Sequence, residues 1–528
     1  MIMKVINPIL KGFNPDPCIC KAKGKYYIAT STFEWFPGVQ IYSSDDLVNW
    51  QYINSPLDKN EFMDLKGTPD SAGIWAPALS YYNNKFYLIY TISNEINGIF
   101  KDIKNYVITA DNIEGPWSLP RYINSSGFDP SMYHEDGKHY VVNVQWDYRT
   151  GDGHKKFNGL ILQEFDFEKG LVGKSKVIFD DDTTGCSEGP HLMKKDNYYY
   201  LIMAQNGTGR HHSIVVARSE SLFGSYKKSP YTPLITAWEQ ETILKKSGHG
   251  NFVEDNFGNW YMVHLCSRYL KNIDRCVLGR ETGLQRIEWV EGWPRMVQGN
   301  SCPALEVEIP NGINEIKECN TYEVYFNEKT NLAKEQWITL RTPFEENIKY
   351  KCNGIEIKGG DSLISLHNQS LIARKWSSFN FDVYTSLKFR PYHYSQMAGL
   401  VTYYNTKCWY YLYVGYDEIK GKRIINILIN DNFNFSEPLN GRYKYIDDDI
   451  EMIYLKVSVN QENLQFYYSI GGEKYYEIGP ALDSSKLSDE YVNGWAYTGA
   501  TVGINCIDMF NKDTSALFKW FKQIDDED

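Results

Sequence analysis

Short hydrophobic segments, each introduced by a turn, recur through the first 260 residues of the chain. They read GKYYIA, NKFYLI, GKHYVV, NYYYLI and GNWYMV. The tyrosine that they share falls at Tyr27, Tyr87, Tyr140, Tyr200 and Tyr261, at intervals of 60, 53, 60 and 61 residues. A Gly, Asn or Asp turn followed by aromatic and β-branched residues is typical of a β-strand. Five strand-rich repeats of this length predict a five-bladed β-propeller.

The pattern changes in the last two fifths of the chain. From residue 322 onward, polar and apolar residues alternate in segments such as CWYYLYVGYD, RIINILIN and EMIYLKVSV. Alternation with a period of two, bounded by Gly, Asn and Asp, favours a β-sandwich. We therefore predict an all-β chain with a five-bladed β-propeller over residues 1–305, a linker over residues 306–321, and a lectin-like (concanavalin-like) β-sandwich over residues 322–528.

One position in each repeat carries a residue suited to chemistry. Counting back 11 residues from the shared tyrosine gives Asp16 and Asp129, and counting back 12 gives Trp75, Glu188 and His249. The innermost strands of propeller blades converge on a central channel, so these five residues are predicted to form a ring. Converging carboxylates repel one another and lose hydration, so this arrangement costs stability. An acid–base site needs such an arrangement, because repulsion and burial shift the pKa values of its carboxyl groups.

Composition and charge exclude several classes of protein. The chain has 528 residues, 15% of them aromatic, and a net charge of −11. This charge and the lack of a basic stripe argue against a nucleic-acid partner. The sequence contains neither a run of about 18 apolar residues nor a signal-peptide core, so no membrane association is expected. Ten scattered cysteines are then best explained as reduced thiols of a cytoplasmic protein.

The order and spacing of several motifs carry a family resemblance. The segments NPDPC, TSTFEWFPGVQIY, IWAPALSY, GFDPSM, SEGPH and LGRETGLQRIEW resemble glycoside hydrolase family 43. More closely, they resemble its β-xylosidases with a C-terminal β-sandwich, over nearly the whole chain. The resemblance implies that Asp16 is the general base, that Glu188 is the general acid, and that Asp129 orients this acid and raises its pKa. It also implies inversion at the anomeric carbon, for which the Asp16 and Glu188 carboxyl groups should lie about 6.5–9.5 Å apart.

The same resemblance implies a set of substrate-binding residues. These are Phe33 and Trp75 as aromatic walls of a single-sugar subsite, Arg280 and Thr208 as polar pocket residues, and His249 beneath the pocket floor. In some relatives this histidine holds a calcium or a water-bound cation. The chemistry requires no cofactor, and the sequence leaves open whether calcium or another cation binds near the channel axis. The sandwich loop AYTGATVG is expected to close the pocket, with Thr501 where relatives carry Phe.

These observations predict an exo-β-1,4-xylosidase that removes terminal xylose from short xylo-oligosaccharides. An α-L-arabinofuranosidase acting on arabinosides, alone or as a second activity, is the nearest alternative. A retaining fructosidase on a similar propeller is disfavoured, because NPDPC and FDP stand where its Asn-Asp-Pro-Asn and Arg-Asp-Pro motifs are expected. A non-catalytic carbohydrate-binding propeller would instead leave the ring carboxylates dispensable. The sequence leaves open whether the chain forms a homo-oligomer.

Overall fold

Nearly all regular structure in this protein is β-strand. The computed structural model describes residues 2–181, 186–310 and 320–526. Within these ranges the only helices are two single 3-10 turns, Phe344–Glu346 and Ser484–Lys486. Neither is long or apolar enough to cross a membrane. The prediction of an all-β chain is confirmed.

The first half of the chain forms five antiparallel blades. Its strands are β1 (Ile2–Ile6), β2 (Cys18–Ala22), β3 (Lys25–Thr30), β4 (Trp35–Phe36), β5 (Gln40–Ser44), β6 (Gln51–Asn54), β7 (Gly73–Tyr82), β8 (Lys85–Ser93), β9 (Ile103–Ala110), β10 (Arg121–Asn124), β11 (Ser131–Glu135), β12 (Lys138–Trp146), β13 (Phe157–Asp166), β14 (Gly170–Phe179), β15 (Ser187–Lys195), β16 (Tyr198–Gln205), β17 (Ser213–Ser219), β18 (Lys227–Lys228), β19 (Ile235–Thr236), β20 (Lys245–Glu254), β21 (Trp260–Ser267), β22 (Glu281–Val290), β23 (Trp293–Met296) and β24 (Glu306–Pro310). The blades are β2-β3-β5-β6, β10-β9-β8-β7, β11-β12-β13-β14, β15-β16-β17-β18 with β19 added, and β20-β21-β22-β23.

The repeated tyrosine has the same place in every blade. It lies on the second strand, and all five copies are buried. Each blade therefore uses this position to fill the space between sheets, where a large aromatic side chain removes much apolar area from water. The repeat thus reports on packing between blades rather than on ligand binding.

The propeller is closed by its N-terminal segment. Strand β1 pairs with β24, and the side-chain amide of Asn7 donates to the Leu284 and Ala304 carbonyls at 2.8 and 2.9 Å. Because Glu306–Pro310 belongs to this closure, the propeller half extends to Pro310 rather than to residue 305. Most of the predicted linker, residues 311–319, lies outside the described residues.

The second half packs two large sheets face to face around one apolar core. Its strands are β25 (Thr321–Tyr325), β26 (Ile338–Leu340), β27 (Ile348–Lys351), β28 (Gly354–Lys358), β29 (Leu371–Lys375), β30 (Asn380–Lys388), β31 (Gln396–Asn405), β32 (Cys408–Asp417), β33 (Lys422–Asp431), β34 (Asn434–Ser436), β35 (Lys444–Ile446), β36 (Ile453–Asn460), β37 (Asn463–Ser469), β38 (Tyr476–Asp483), β39 (Thr501–Asp508) and β40 (Ser515–Asp525). One sheet has the order β27-β28-β40-β30-β36-β37-β38 and the other β34-β33-β32-β31-β39-β29-β26-β4, with β25 and β35 joining at β40 and β33.

The two halves share structure across their interface. Strand β4 belongs to the propeller segment but extends a sandwich sheet by pairing with β26. Arg341 of the sandwich is buried and donates to the Thr68 carbonyl at 2.7 Å and to Asp70 at 2.9 Å. The ammonium group of Lys375 reaches the Phe13 carbonyl, next to the segment that carries the first ring carboxylate. The sandwich is therefore fixed against the face of the propeller where the ring lies.

Candidate active site

The five ring residues converge on one cavity of about 720 Å³. All eight residues predicted from the sequence line it. The lining residues are Asp16, Phe33, Trp75, Lys101, Phe128, Asp129, Trp146, Phe157, Cys186, Glu188, Asn206, Gly207, Thr208, His211, His212, His249, Arg280, Trp495 and Tyr497. The offsets from the repeated tyrosine thus located a genuine convergence of side chains.

A repeated backbone feature turns the chain into this cavity. In four blades the residue directly before a proline has a positive φ, namely Asp16 at 52°, Ala76 at 35°, Asp129 at 53° and Gly189 at 54°. Side-chain sterics disfavour this region for residues other than glycine, so these positions store strain of the kind found at functional sites. Trp75 and Glu188 lie one residue earlier, in strands whose register shifts just after them. Standing one residue before the pre-proline position gives these two residues an offset of 12 rather than 11.

Asp16 is held in its ionised form. The Ser31 hydroxyl donates to Asp16 Oδ2 at 2.7 Å, and Arg280 Nη1 donates to Asp16 Oδ1 at 3.0 Å. Burial raises the pKa of Asp16, but the charges of Arg280 and His249 and the Ser31 hydrogen bond outweigh burial. The resulting pKa is lowered, so this carboxylate can accept a proton at neutral pH.

Glu188 is held in the opposite protonation state. Burial and then the negative charge of Asp16 raise the pKa of Glu188 to about 7. Burial and the charges of Glu188 and Asp16 also raise the pKa of Asp129 well above its ordinary value, while the Gly189 N–H donates to Asp129 Oδ2 at 3.0 Å. The like charges of Asp129 and Glu188 act on each other, so Asp129 disfavours the ionisation of Glu188 together with Asp16. The site therefore holds one ionised carboxylate together with a carboxyl group that retains its proton near neutrality.

Arg280 joins both halves of the protein at the cavity. Its Nη1 also donates to Thr208 Oγ1 at 3.1 Å, and its Nε and Nη2 donate to the Tyr497 carbonyl at 3.2 and 3.0 Å. The guanidinium group thus uses its fixed fork of donors to link a propeller carboxylate to a sandwich loop. This arrangement aligns Asp16 and Tyr497 around a single buried cation.

Aromatic rings form the cavity walls. The Phe33 ring lies 6.1 Å from the Tyr497 ring, and Trp75 packs edge-on against Phe128 at 5.8 Å. The Trp75 indole N–H donates to the Ser71 carbonyl at 3.0 Å, which fixes the ring plane. Flat apolar rings beside polar donors suit a sugar, whose ring faces are apolar and whose edges carry hydroxyl groups.

Several lining residues were missed at the sequence level, although some had a signal there. Phe33, Trp146 and Asn206 each lie six residues after the repeated tyrosine of their blade. That second offset would have added Trp146 and Asn206 to the prediction. Lys101 and Trp495 lie outside the repeated strand pattern, so no comparable signal exists for them.

Thr501, which stands where relatives carry Phe, does not line the cavity. Thr501 is fully buried at the start of β39, and its hydroxyl donates to the Tyr403 carbonyl at 2.9 Å. The same loop instead presents Tyr497 to the cavity, with Trp495 just before the loop. The Tyr497 N–H donates to the Ser71 hydroxyl at 2.9 Å and so anchors the loop to the propeller. The predicted loop does reach the pocket, but through a different side chain.

The surroundings of His249 do not resemble a calcium site built from side chains. The imidazoles of His191 and His212 are its neighbours, and desolvation lowers the pKa of each to about 3, so both are neutral. Calcium prefers six to eight oxygen ligands, whereas these side chains offer nitrogen. Asp16, the nearby carboxylate, is already bonded to Arg280 and Ser31. These protein groups therefore do not fit calcium without a shell of water.

A second cluster of ligating groups already contains a cation. Within the described ranges, Cys276, Asp489 and Glu490 form the one group of three side chains close enough to share a metal ion. The Lys246 ammonium lies 3.1 Å from Asp489 and 2.6 Å from Glu490. This ammonium neutralises the two carboxylates and binds the sandwich to the strand that carries His249.

Two carboxyl groups in opposite protonation states, enclosed by aromatic rings at the axis of a five-bladed propeller, define a glycoside hydrolase. Residues 5–294 match the model for glycosyl hydrolases family 43, and residues 325–523 match that for the beta xylosidase C-terminal concanavalin A-like domain. The chain belongs to glycosyl hydrolase family 43.

Full-length relatives agree with this assignment. The chain is 42% identical to a beta-xylosidase of Bacillus subtilis, over 98% of this chain and 99% of the relative. It is 40% identical to xylosidase/arabinosidase 43B of Humicola insolens, over 98% and 97%. A crystal structure of xylan beta-1,4-xylosidase from Bacillus halodurans superposes with a TM-score of 0.93 at 41% identity, covering 99% of this chain and all of that one.

Proposed function

We propose that this protein is an inverting exo-β-1,4-xylosidase that releases terminal xylose from short xylo-oligosaccharides. The observation that carries the proposal is the split between a lowered pKa at Asp16 and a pKa of about 7 at Glu188 within one cavity. The names of the relatives supply the sugar. We further propose that it acts in the cytoplasm, since none of the nine cysteines in the described ranges forms a disulfide.

In the proposed reaction, the two carboxyl groups act on opposite faces of the sugar. The Asp16 carboxylate takes a proton from a water molecule as the water oxygen bonds to the anomeric carbon. Glu188 gives its proton to the glycosidic oxygen as the bond from that oxygen to the anomeric carbon breaks. The leaving sugar departs as an alcohol, and xylose is released with inverted configuration. A separation of about 6.5–9.5 Å between the two carboxyl groups stays a prediction of this mechanism.

A second activity on α-L-arabinofuranosides has one specific observation in its favour. The relative from Humicola insolens is named for both sugars. Both sugars present similar hydroxyl arrangements to one shallow subsite, so the same Asp16 and Glu188 can serve both. We propose the arabinofuranosidase activity as an addition to the xylosidase rather than as its replacement.

The assignment of roles can be tested with two substrates that differ in leaving group. Glu188→Gln should lower kcat/KM on xylobiose by about 10²–10⁴-fold. It should lower kcat/KM less on a 4-nitrophenyl β-xyloside, whose phenolate leaves without full protonation. Asp16→Asn removes the base and should reduce both activities severely. Hydrolysis of a 4-nitrophenyl α-L-arabinofuranoside by the wild-type protein tests the second activity.

A matched control is available on an inner strand of the fifth blade. Glu254 is exposed at the end of β20 and does not line the cavity, so Glu254→Gln should leave both activities unchanged. Full activity of Glu188→Gln on both xylosides would contradict the assignment of Glu188 as the acid. A wild-type protein that binds xylobiose without hydrolysing it would favour a carbohydrate-binding propeller. If the wild-type protein hydrolyses the arabinofuranoside but neither xyloside, the proposed xylosidase activity is contradicted and the protein is an α-L-arabinofuranosidase.

A further inference from the structure

A lysine enters the cavity from the loop between β8 and β9. Lys101 lines the cavity and is only 9% exposed. Its ammonium lies 4.6 Å from the Trp146 ring centre, 5.1 Å from that of Trp495 and 5.9 Å from that of Trp75. Three indole rings, one of them from the sandwich domain, therefore surround a single cation.

This cation has no oxygen partner within the described ranges. No hydrogen bond or ion pair of the Lys101 ammonium occurs among residues 2–181, 186–310 and 320–526, although other buried cations of the site have several. Indole faces attract the charge but leave its three N–H donors without strong acceptors. Because a buried charge without acceptors is costly, the open side of the ammonium is suited to oxygens of a ligand in the cavity.

The position of Lys101 indicates which part of a ligand would supply these oxygens. Asp16 and Arg280 are buried, and each already bonds the other. Trp495, in contrast, is 44% exposed at the cavity rim. Lys101 lies against the ring of this exposed Trp495, 5.1 Å from its centre, and shares the cavity with Glu188, whose charge acts on it. Because Glu188 protonates the leaving oxygen in the proposed reaction, we assign the ammonium to the leaving side of the bond to be cleaved.

Neighbouring contacts hold the loop in this place. The Trp146 indole N–H donates to the Ile99 carbonyl at 3.0 Å. The Phe100 ring lies 5.0 Å from the Tyr148 ring on the third blade. These two contacts fix the loop directly before Lys101. The ammonium therefore points into the cavity rather than into bulk water.

We propose that Lys101 is a substrate-binding residue that donates hydrogen bonds to hydroxyl oxygens of the sugar unit on the leaving side of the scissile bond. The inference rests on the proposed function of the cavity. It makes the enzyme selective for oligosaccharides, because an aryl leaving group offers no hydroxyl oxygens to this lysine. The indole cage sets the direction of the donors, and the sandwich domain contributes to this selectivity through Trp495.

The test compares substrates with and without a leaving sugar. Lys101→Met removes the charge at similar length and should lower kcat/KM for xylotriose by about 10- to 100-fold, the effect of losing charge-assisted hydrogen bonds. For a 4-nitrophenyl β-xyloside the loss should stay below about threefold. Lys101→Arg should recover part of the xylotriose activity. Lys104→Met, an exposed lysine on β9, serves as the matched control.

Two results would overturn the inference. One is an equal loss on both substrates, which places the lysine against the cleaved xylose or in a structural role. The other is unchanged activity of Lys101→Met on xylotriose. Binding separates this inference from the catalytic proposal: xylotriose should bind Glu188→Gln more tightly than Glu188→Gln/Lys101→Met, measured by calorimetry. Equal binding contradicts the role of Lys101 even where the wild-type protein hydrolyses neither xyloside.

Discussion

At the residue scale, neighbours give chemically similar side chains different roles. Asp16 receives hydrogen bonds from Ser31 and Arg280, which favour the charged form despite burial. Glu188 is partly buried and Asp16 repels its charge, so its pKa rises to about 7. The sequence could identify both carboxyl groups from their offsets. It could not assign this electrostatic division, because Ser31 and Arg280 lie far from Glu188 along the chain.

The first prediction concerns the pH dependence of xylobiose hydrolysis. Activity requires ionised Asp16 and protonated Glu188. Because the pKa of Glu188 is about 7, kcat/KM should fall tenfold per pH unit above about pH 7. On the acidic side of the pH profile, kcat/KM should fall only below about pH 4, the ordinary pKa of an aspartate, since the pKa of Asp16 is lowered. We call this fall the acidic limb of the profile. A basic limb near pH 4.5 would contradict the protonated state of Glu188.

The second prediction concerns Arg280. Lysine cannot reproduce the bonds of its guanidinium group to Asp16, Thr208 and Tyr497. Arg280→Lys should therefore lower kcat/KM at least 100-fold and move the acidic limb to higher pH, because burial of Asp16 is then less compensated. Thr208→Val removes one bond only and should cost less than tenfold without moving this limb. If the acidic limb of Arg280→Lys lies at the same pH as that of wild type, Arg280 does not lower the pKa of Asp16 as predicted.

At the scale of elements, the repeat unit explains both the success and the limits of sequence interpretation. The repeated tyrosine marks the second strand of each blade, so residues at fixed offsets such as Glu188 converge wherever the strands do. The strand irregularities just after Trp75 and Glu188 are not visible in the sequence. Lys101 and Trp495 come from connections outside this repeat, so they become visible only in three dimensions.

The third prediction concerns the glycine after the proposed acid. A Cβ at Gly189 would lie 2.7 Å from the His249 ring, and Gly189 has a φ of +54°. Gly189→Ala should therefore displace His249 and the adjacent Glu188, with a large loss of kcat/KM. Gly24 lies outside the cavity and also has a positive φ, of +81°; Gly24→Ala has no atom within 4 Å of the added Cβ, so it shares only the backbone penalty of about 1–2 kcal/mol.

Activity and thermal unfolding of the two glycine variants should be measured side by side. Gly189→Ala should lose far more activity than Gly24→Ala, since only the first has a steric conflict in addition to its backbone strain. Similar kinetic losses in both variants would show that the His249 contact has no bearing on catalysis.

At the scale of the whole molecule, the sandwich completes the site. It supplies the Tyr497 carbonyl to Arg280 and the Trp495 ring to the cavity rim. The family resemblance located the relevant loop but not the side chain that reaches the cavity, because linear correspondence does not reveal that β39 begins at Thr501 and buries it. A buried group at the same interface, Glu34, makes the docking of the two halves sensitive to pH.

The fourth prediction concerns this group. Burial and the nearby charge of Asp70 raise the pKa of Glu34 to about 8, against the opposing effect of Arg341. Since the folded-state pKa lies above the unfolded one, the contribution of Glu34 to stability is complete below about pH 4 and is lost as the pH rises through about 8. Glu34→Gln removes this loss. The difference in melting temperature between Glu34→Gln and wild type should increase from pH 5 to pH 8. The exposed Glu254→Gln serves as the control. A difference in melting temperature that stays constant over this pH range would be inconsistent with a protonated Glu34.

The measurement that tests the central claim most directly is the configuration of the first product. Wild-type enzyme is mixed with xylobiose, and the anomeric protons of the released xylose are followed by NMR before mutarotation equilibrates them. A water activated by Asp16 and a proton from Glu188 give inversion, so α-xylose should appear first and convert slowly to β-xylose. Initial release of β-xylose would contradict the account, because retention requires one of these carboxyl groups to bond to the sugar.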